Sequence, residues 1–223
     1  MTASKIKLQT ASIFALLLAA LTFARGNVSG SDGPGFNVPL GIPAEAWAYF
    51  VPKDNPLTTA KIELGRELFF DARLSADGKI SCASCHDPKL AFTDGKRVAE
   101  GINGRRGPRN SPTILNAMFN SGQFWDGRAS TLEAQAVLPL VDPDEMGNRT
   151  LDEVVARIKD LPEYRQKFQE VFNGPVTVEA IGKAIAAFER TLVSGNSPFD
   201  RFIAGDRNAL GEAAQRGFFL FRG

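Results

Sequence analysis

The chain has 223 residues, and its 26 lysines and arginines against 25 aspartates and glutamates leave a formal net charge of +1. Such a balance supplies neither the basic surface of a nucleic-acid partner nor attraction to an anionic membrane, and no nucleic-acid partner is expected. The 43% apolar content is that of a globular protein with room for one large or two small domains.

The N-terminus carries Lys5 and Lys7, followed by an apolar run from Ala11 to Ala24. That run is shorter than the roughly 20 residues that span a bilayer, and Thr22 and Ala24 place small residues at minus three and minus one of a cleavage site. Residues 1–24 therefore read as a secretory signal peptide, with an uncleaved anchor as the alternative, and either reading puts the following domain outside the cytoplasm. Residues 25–56 are rich in Gly and Pro without sustained periodicity and read as an extended lead-in that Trp47, Tyr49 and Phe50 pin to the surface.

Beyond Pro56 helix signals are frequent and strand signals scarce. Thr58 caps a predicted helix through Phe69, and Ser111-Pro112 predicts another over Thr113 to Phe119. Ser130-Thr131-Leu132-Glu133 and Thr150-Leu151-Asp152-Glu153 fit the capping box, the first opening a helix that Pro139 ends. Pro162 opens a helix to Phe172, and Thr177 one through Leu192 with Ile181, Ile185, Phe188 and Leu192 on one face. The expected class is all-α, with a long punctuated loop from Asp87 to Asn110 of the kind that wraps a ligand.

Both cysteines and the single histidine fall in Cys82-Ala83-Ser84-Cys85-His86. C-x-x-C-H is the attachment pattern of haem c, in which two thiols form thioethers and the adjacent imidazole ligates the iron. The competing readings are weaker: a zinc site is one ligand short, a thioredoxin-like motif lacks its βαβ setting, and a Cys82–Cys85 disulfide closes too small a loop to stabilise much. On this reading the cofactor completes the core.

From Leu64 onward the chain resembles the bacterial di-haem cytochrome c peroxidases and their MauG-type relatives. The resemblance rests on Glu67-Leu68-Phe69, Cys82-x-x-Cys85-His86-Asp87-Pro88, Asn110-Ser111-Pro112-Thr113, Phe124-Trp125-Asp126-Gly127-Arg128, Gln135-Ala136 and Glu145-Met146-Gly147. It implies a cytochrome c-like helical domain over 57–205 that carries the peroxide-reacting haem. Residues 206–223 would begin a second haem domain, because Gly217-Phe218-Phe219-Leu220-Phe221 echoes Gly65-Arg66-Glu67-Leu68-Phe69, which precedes the haem motif. A second haem c is expected in a full-length protein, and the apolar end of this chain is expected to be covered by further protein.

The resemblance also implies roles. His86 would be the proximal iron ligand, Glu145 the acid/base that moves the peroxide proton, and Gln135 an amide that holds water or peroxide. Trp125 would carry electrons between haems, a role expected to bury it, and Asn110 would help bind calcium between two domains. Many members close the iron with a second histidine on the loop that here reads Glu100-Gly101-Ile102-Asn103-Gly104, so a five-coordinate or water-ligated resting haem is expected. Expected partners are hydrogen peroxide, a small redox donor such as a c-type cytochrome or cupredoxin, and a second copy in a homodimer; the expected compartment is the periplasm. Two alternatives stand beside peroxide reduction: MauG-like oxidation of a protein side chain, and a mono-haem electron carrier ligated by His86 and a methionine, Met146 or Met118.

Overall fold

Helix caps and small residues at helix crossings fix the frame. The computed structural model describes residues 38–223, so the signal-peptide reading lies outside the described residues. In order come α1 (Ala44–Phe50), α2 (Thr59–Phe70), α3 (Cys82–Cys85), α4 (Leu132–Val141), α5 (Leu151–Lys159), α6 (Pro162–Phe172), α7 (Val178–Glu189), α8 (Pro198–Ile203) and α9 (Glu212–Arg222). Three isolated bridges, Asp87 with Thr93, Glu100 with Arg106 and Gln123 with Ala129, stand in place of strands among these residues. No helix among them is long and apolar enough to cross a membrane.

The threonine signals translate into caps. Thr58, Thr131, Thr150 and Thr177 each accept a backbone N–H from the first turn of α2, α4, α5 and α7, satisfying a donor that the helix cannot. In α5 the box closes differently from expectation, because the Glu153 carboxylate takes the N–H of Arg149 instead of that of Thr150. Pro139 does not end α4, which runs on to Val141; a proline this near the C-terminal end removes a single hydrogen bond. α7 stops at Glu189, and Leu192 lies beyond it.

Two further expectations change. Residues 44–50 form α1, where an extended lead-in is predicted; Trp47 and Phe50 pack on the core, Phe50 meeting Phe119 edge-on at 5.3 Å, while Tyr49 is 82% exposed. The predicted helix over 113–119 is only a 3-10 turn at Ala117–Phe119, because Asn116 takes the left-handed conformation and donates its N–H to Leu192 O.

α2 and α7 cross closely enough that a Cβ on Gly65 would stand 1.9 Å from Ala184 O, and α4 meets α7 where a Cβ on Gly182 would stand 2.9 Å from Glu133 O. Leu64, Leu68, Phe69, Ile181 and Ile185 fill the crossing, and α5 and α6 close it with Val154, Ile158 and Phe168. A buried polar tie joins the segment before α2 to this frame. Arg190 grips Glu133 with both guanidinium arms at 2.6 and 3.0 Å, Asn55 donates to the same carboxylate at 2.7 Å, and Lys61 Nζ donates to Asn55 Oδ1 at 2.9 Å. At the far end Phe218 of α9 meets Phe199 and Phe202 of α8, whereas Leu220 and Phe221 are 85% and 92% exposed.

Candidate haem-binding site

α3 is a single turn that presents the two cysteines. Ser81 and Ser84 form a capping box at its start, and the N–H of His86 donates to Cys82 O at its end. The chain then doubles back: Leu90 and Phe92 both donate to Asp87 O, with Ala91 and Phe92 at positive φ. This fold brings Phe92 O to 3.0 Å from His86 Nδ1. A proton on Nδ1 given to that carbonyl leaves the lone pair on Nε2, the tautomer a metal ligand needs. Burial holds His86 below the usual imidazole range, the carbonyls of Phe92 and Pro112 opposing it, so the ring is in its ligating neutral form.

Cys82, Cys85 and His86 open onto a cavity of about 530 Å³. Apolar wall comes from Ile80, Ile114, Leu132 and Ile185, and polar groups come from Gln135 and Glu145. Burial pushes both thiols up, more strongly at Cys82. The size, the apolar lining and the thiol pair beside a neutral imidazole fit a covalently held porphyrin. Among the described residues no group of three or more His, Cys, Asp or Glu could hold a bare metal ion.

Glu145 sits on the turn after α4, half-buried, and burial raises its carboxyl above the ordinary range; Asp142 and Asp144 add to the rise and Arg128 opposes it. The turn is held from the other side by the loop Glu100-Gly101-Ile102-Asn103-Gly104. Ile102 N donates to Glu145 O at 2.8 Å, and a Cβ on Gly101 would lie 2.3 Å from Asp144 O and 2.4 Å from Glu145 O. Gly101 is what lets the two backbones touch. Gln135 lies on α4 and faces the same cavity. Met146 is 3% exposed and also lines it, whereas Met118 packs in the core.

Trp125 corrects an expectation: it is 60% exposed, at the cavity edge, with its indole N–H donated to Asn110 O at 3.0 Å. Beside it the guanidinium of Arg128 lies 3.4 Å over the Phe124 ring, and Asp126 bridges Arg128 and Arg109 at 3.0 Å each. All seven of the predicted site residues, Cys82, Cys85, His86, Asn110, Trp125, Gln135 and Glu145, thus border one cavity. Sequence reasoning missed Glu189, which also lines it; the signal was an acid four residues after Ile185 on the apolar face of α7.

An all-helical domain closed around a C-x-x-C-H cavity defines the c-type cytochrome class. A family model described as di-haem cytochrome c peroxidase matches residues 59–208, and the chain belongs to that family. It is 48% identical over 174 residues to the methylamine utilization protein MauG of Methylorubrum extorquens, covering 77% of this chain and 49% of that protein. It is 42% identical over 172 residues to the cytochrome c peroxidase Ccp of Escherichia coli K12, covering 77% of this chain and 37% of that one. Among solved structures, a MauG-like protein associated with microbial copper homeostasis superposes with a TM-score of 0.69 at 37% identity, over 86% of this chain and 55% of that one. The diheme peroxidase BthA of Burkholderia thailandensis gives 0.65 at 30% identity, over 76% and 48%. The chain thus spans between 37% and 55% of the length of these relatives.

Proposed function

We propose that this chain is the peroxide-reacting haem domain of a periplasmic di-haem peroxidase that reduces hydrogen peroxide with electrons from a small redox protein. The observation that carries the reading is the single cavity shared by Cys82, Cys85, His86, Gln135 and Glu145. Cys82 and Cys85 would hold haem c by thioethers and His86 would ligate it; the bound haem supplies the one-electron chemistry. Glu145 takes the proton of one peroxide oxygen and returns it to the departing one, a shuttle that needs a carboxyl poised near working pH. Its burial beside Asp142 and Asp144 shifts it upward, the direction such a shuttle needs. Gln135 orients peroxide or water by hydrogen bonding. Trp125, at the edge, is the entry point for electrons, and Asn110 contributes to calcium binding where a second haem domain would meet it.

One observation favours a second reading, an electron carrier: the buried Met146 thioether lines the cavity beside Glu145. The ferric spectrum of the haem-loaded protein before and after one equivalent of hydrogen peroxide separates the two. The peroxidase gives a high-spin resting haem whose Soret band changes on peroxide addition. A low-spin haem unmoved by peroxide, turning high-spin in Met146→Ala, would overturn it.

Gly101→Ala tests how far the proton shuttle depends on its seat. The added methyl collides with the backbone of Asp144 and Glu145, and because the adjacent Glu100 carbonyl lies 3.8 Å from Cys85 Sγ, covalent haem loading of the variant is measured alongside its rate. A displacement of about 1 Å at a reacting group costs on the order of 10²-fold. Stopped-flow measurement of the peroxide reaction should show a loss of that order, and an unchanged rate would show that Glu145 does not need this contact.

A further inference from the structure

One acid in the cavity wall is used neither by the helical frame nor by the peroxide chemistry. Glu189 closes α7, is 5% exposed, lines the cavity, and has an enclosed Oε2 with no hydrogen-bond partner. Native interiors rarely leave such an oxygen unpaired without a reason. The neighbouring cation does not neutralise it, since Arg190 gives both guanidinium arms to Glu133.

The other charged groups around Glu189 do not compensate it either. From α4 comes Glu133, a second anion, whose charge pushes the Glu189 carboxyl further up. α5 brings the apolar Val154 and Ile158 to the same core. From α3 comes Cys82, on which Glu189 weighs more than any other charged group, and whose titratable proton disappears once its thioether forms. Burial pushes the Glu189 carboxyl up to about 8; Arg190 opposes the rise and Glu133 adds to it. A carboxylate lining this cavity, in a medium of low dielectric, would interact strongly with the charge that a porphyrin held there gains or loses.

We propose that Glu189 is the redox-linked proton site of the haem cavity, binding one proton when the haem gains an electron and releasing it when the haem is oxidised. The inference rests on the haem reading of the cavity. The balance is simple. Above the pH at which Glu189 ionises with the haem oxidised, a one-electron donor delivers an electron to the haem while the carboxylate takes a proton from solvent and becomes the acid; oxidation returns both, so the net charge in the cavity stays constant.

Spectroelectrochemical titration of the haem-loaded full chain between about pH 6 and pH 10 tests this, through the proton linkage of the midpoint potential. The wild-type potential is expected to fall with rising pH through the region near 8. The slope is lost in Glu189→Gln and kept in Glu189→Asp and Glu145→Gln. A pH-independent wild-type potential, a slope surviving in Glu189→Gln, or a slope lost in Glu145→Gln overturns the proposal. Should Glu189→Gln load no haem, the reduced-minus-oxidised infrared spectrum decides: a carboxylic C=O band appears on reduction of the wild type and moves in Glu189→Asp, and an absent or unmoved band overturns it. Wild-type protein from an oxidising compartment that carries no covalent haem sinks the cofactor reading along with this one; a haem of flat potential sinks this one alone.

Discussion

Replacing Glu145 with glutamine is expected to slow the reaction of the haem-loaded chain with hydrogen peroxide by about 10²- to 10⁴-fold, the range that a positioned proton-transfer group contributes. Glutamine keeps the shape and the N–H of Glu145, along with its backbone bond from Ile102, so the resting spectrum and the fold should be unchanged. What it removes is an oxygen that can hold a proton and give it back. The pH profile supplies a second, independent readout. Burial with Asp142 and Asp144 raises the Glu145 carboxyl, and the base form required for the first proton transfer exists only above that raised value. The wild-type rate should therefore climb with pH through a limb lying above the ordinary carboxylate range, and Glu145→Gln should lack the limb. Stopped-flow rates across pH measure both. An unaltered rate in the variant would assign the proton to another group and take Glu145 out of the machinery.

The second large effect concerns the frame. Gly65→Ala is expected to cost about 3 kcal/mol of stability or more, the upper end of what overpacking a core does. The new methyl would stand 1.9 Å from Ala184 O and 2.6 Å from Ala184 C, both backbone atoms of α7, with Phe188 Cβ at 3.1 Å behind them. No rotamer change relieves a clash with backbone; α2 and α7 must separate, and Leu64, Leu68, Ile181 and Ile185 lose contact together. Gly217→Ala is the matched control. It too lies within a helix, but a Cβ there meets nothing within 4 Å, so replacing a flexible helical glycine should gain roughly 0.5–1 kcal/mol. Thermal melts of the haem-loaded variants compare the two. Equal, small shifts would mean that the α2–α7 crossing yields more readily than its geometry implies.

Much of this arrangement was legible in the residues because local rules and burial agree in them. A threonine with free N–H groups downstream leaves little choice, and Thr58, Thr150 and Thr177 cap as read; α4 is capped one residue later than its Ser130–Glu133 box implies, by Thr131, and the Glu133 carboxylate goes to Arg190 and Asn55. Five of the six motif segments contribute residues to one cavity wall, and the sixth, Glu67-Leu68-Phe69, sends Leu68 and Phe69 into the helical core instead. What escaped depends on contacts distant in sequence. α1 has no side-chain cap and no buried residue, so nothing local announces it, and it forms where Trp47 and Phe50 find the core. Trp125 reads as a core residue by hydrophobicity, yet its N–H is satisfied at the cavity edge by Asn110 O. Glu189 hides in an apolar stripe, because a periodicity of hydrophobic residues is read past a single charge.

The cavity itself bears on how such a protein is made. Its wall is drawn from segments as distant as Ile80 and Glu189, and Ile114, Leu132 and Ile185 face its interior. A porphyrin held between them would supply the dispersion contacts that keep the segments at their spacing. On the proposed attachment, the porphyrin would thus be an internal strut as well as a reagent. Maturation would then have a direction, with Cys82 and Cys85 joined to the porphyrin before the wall closes around it.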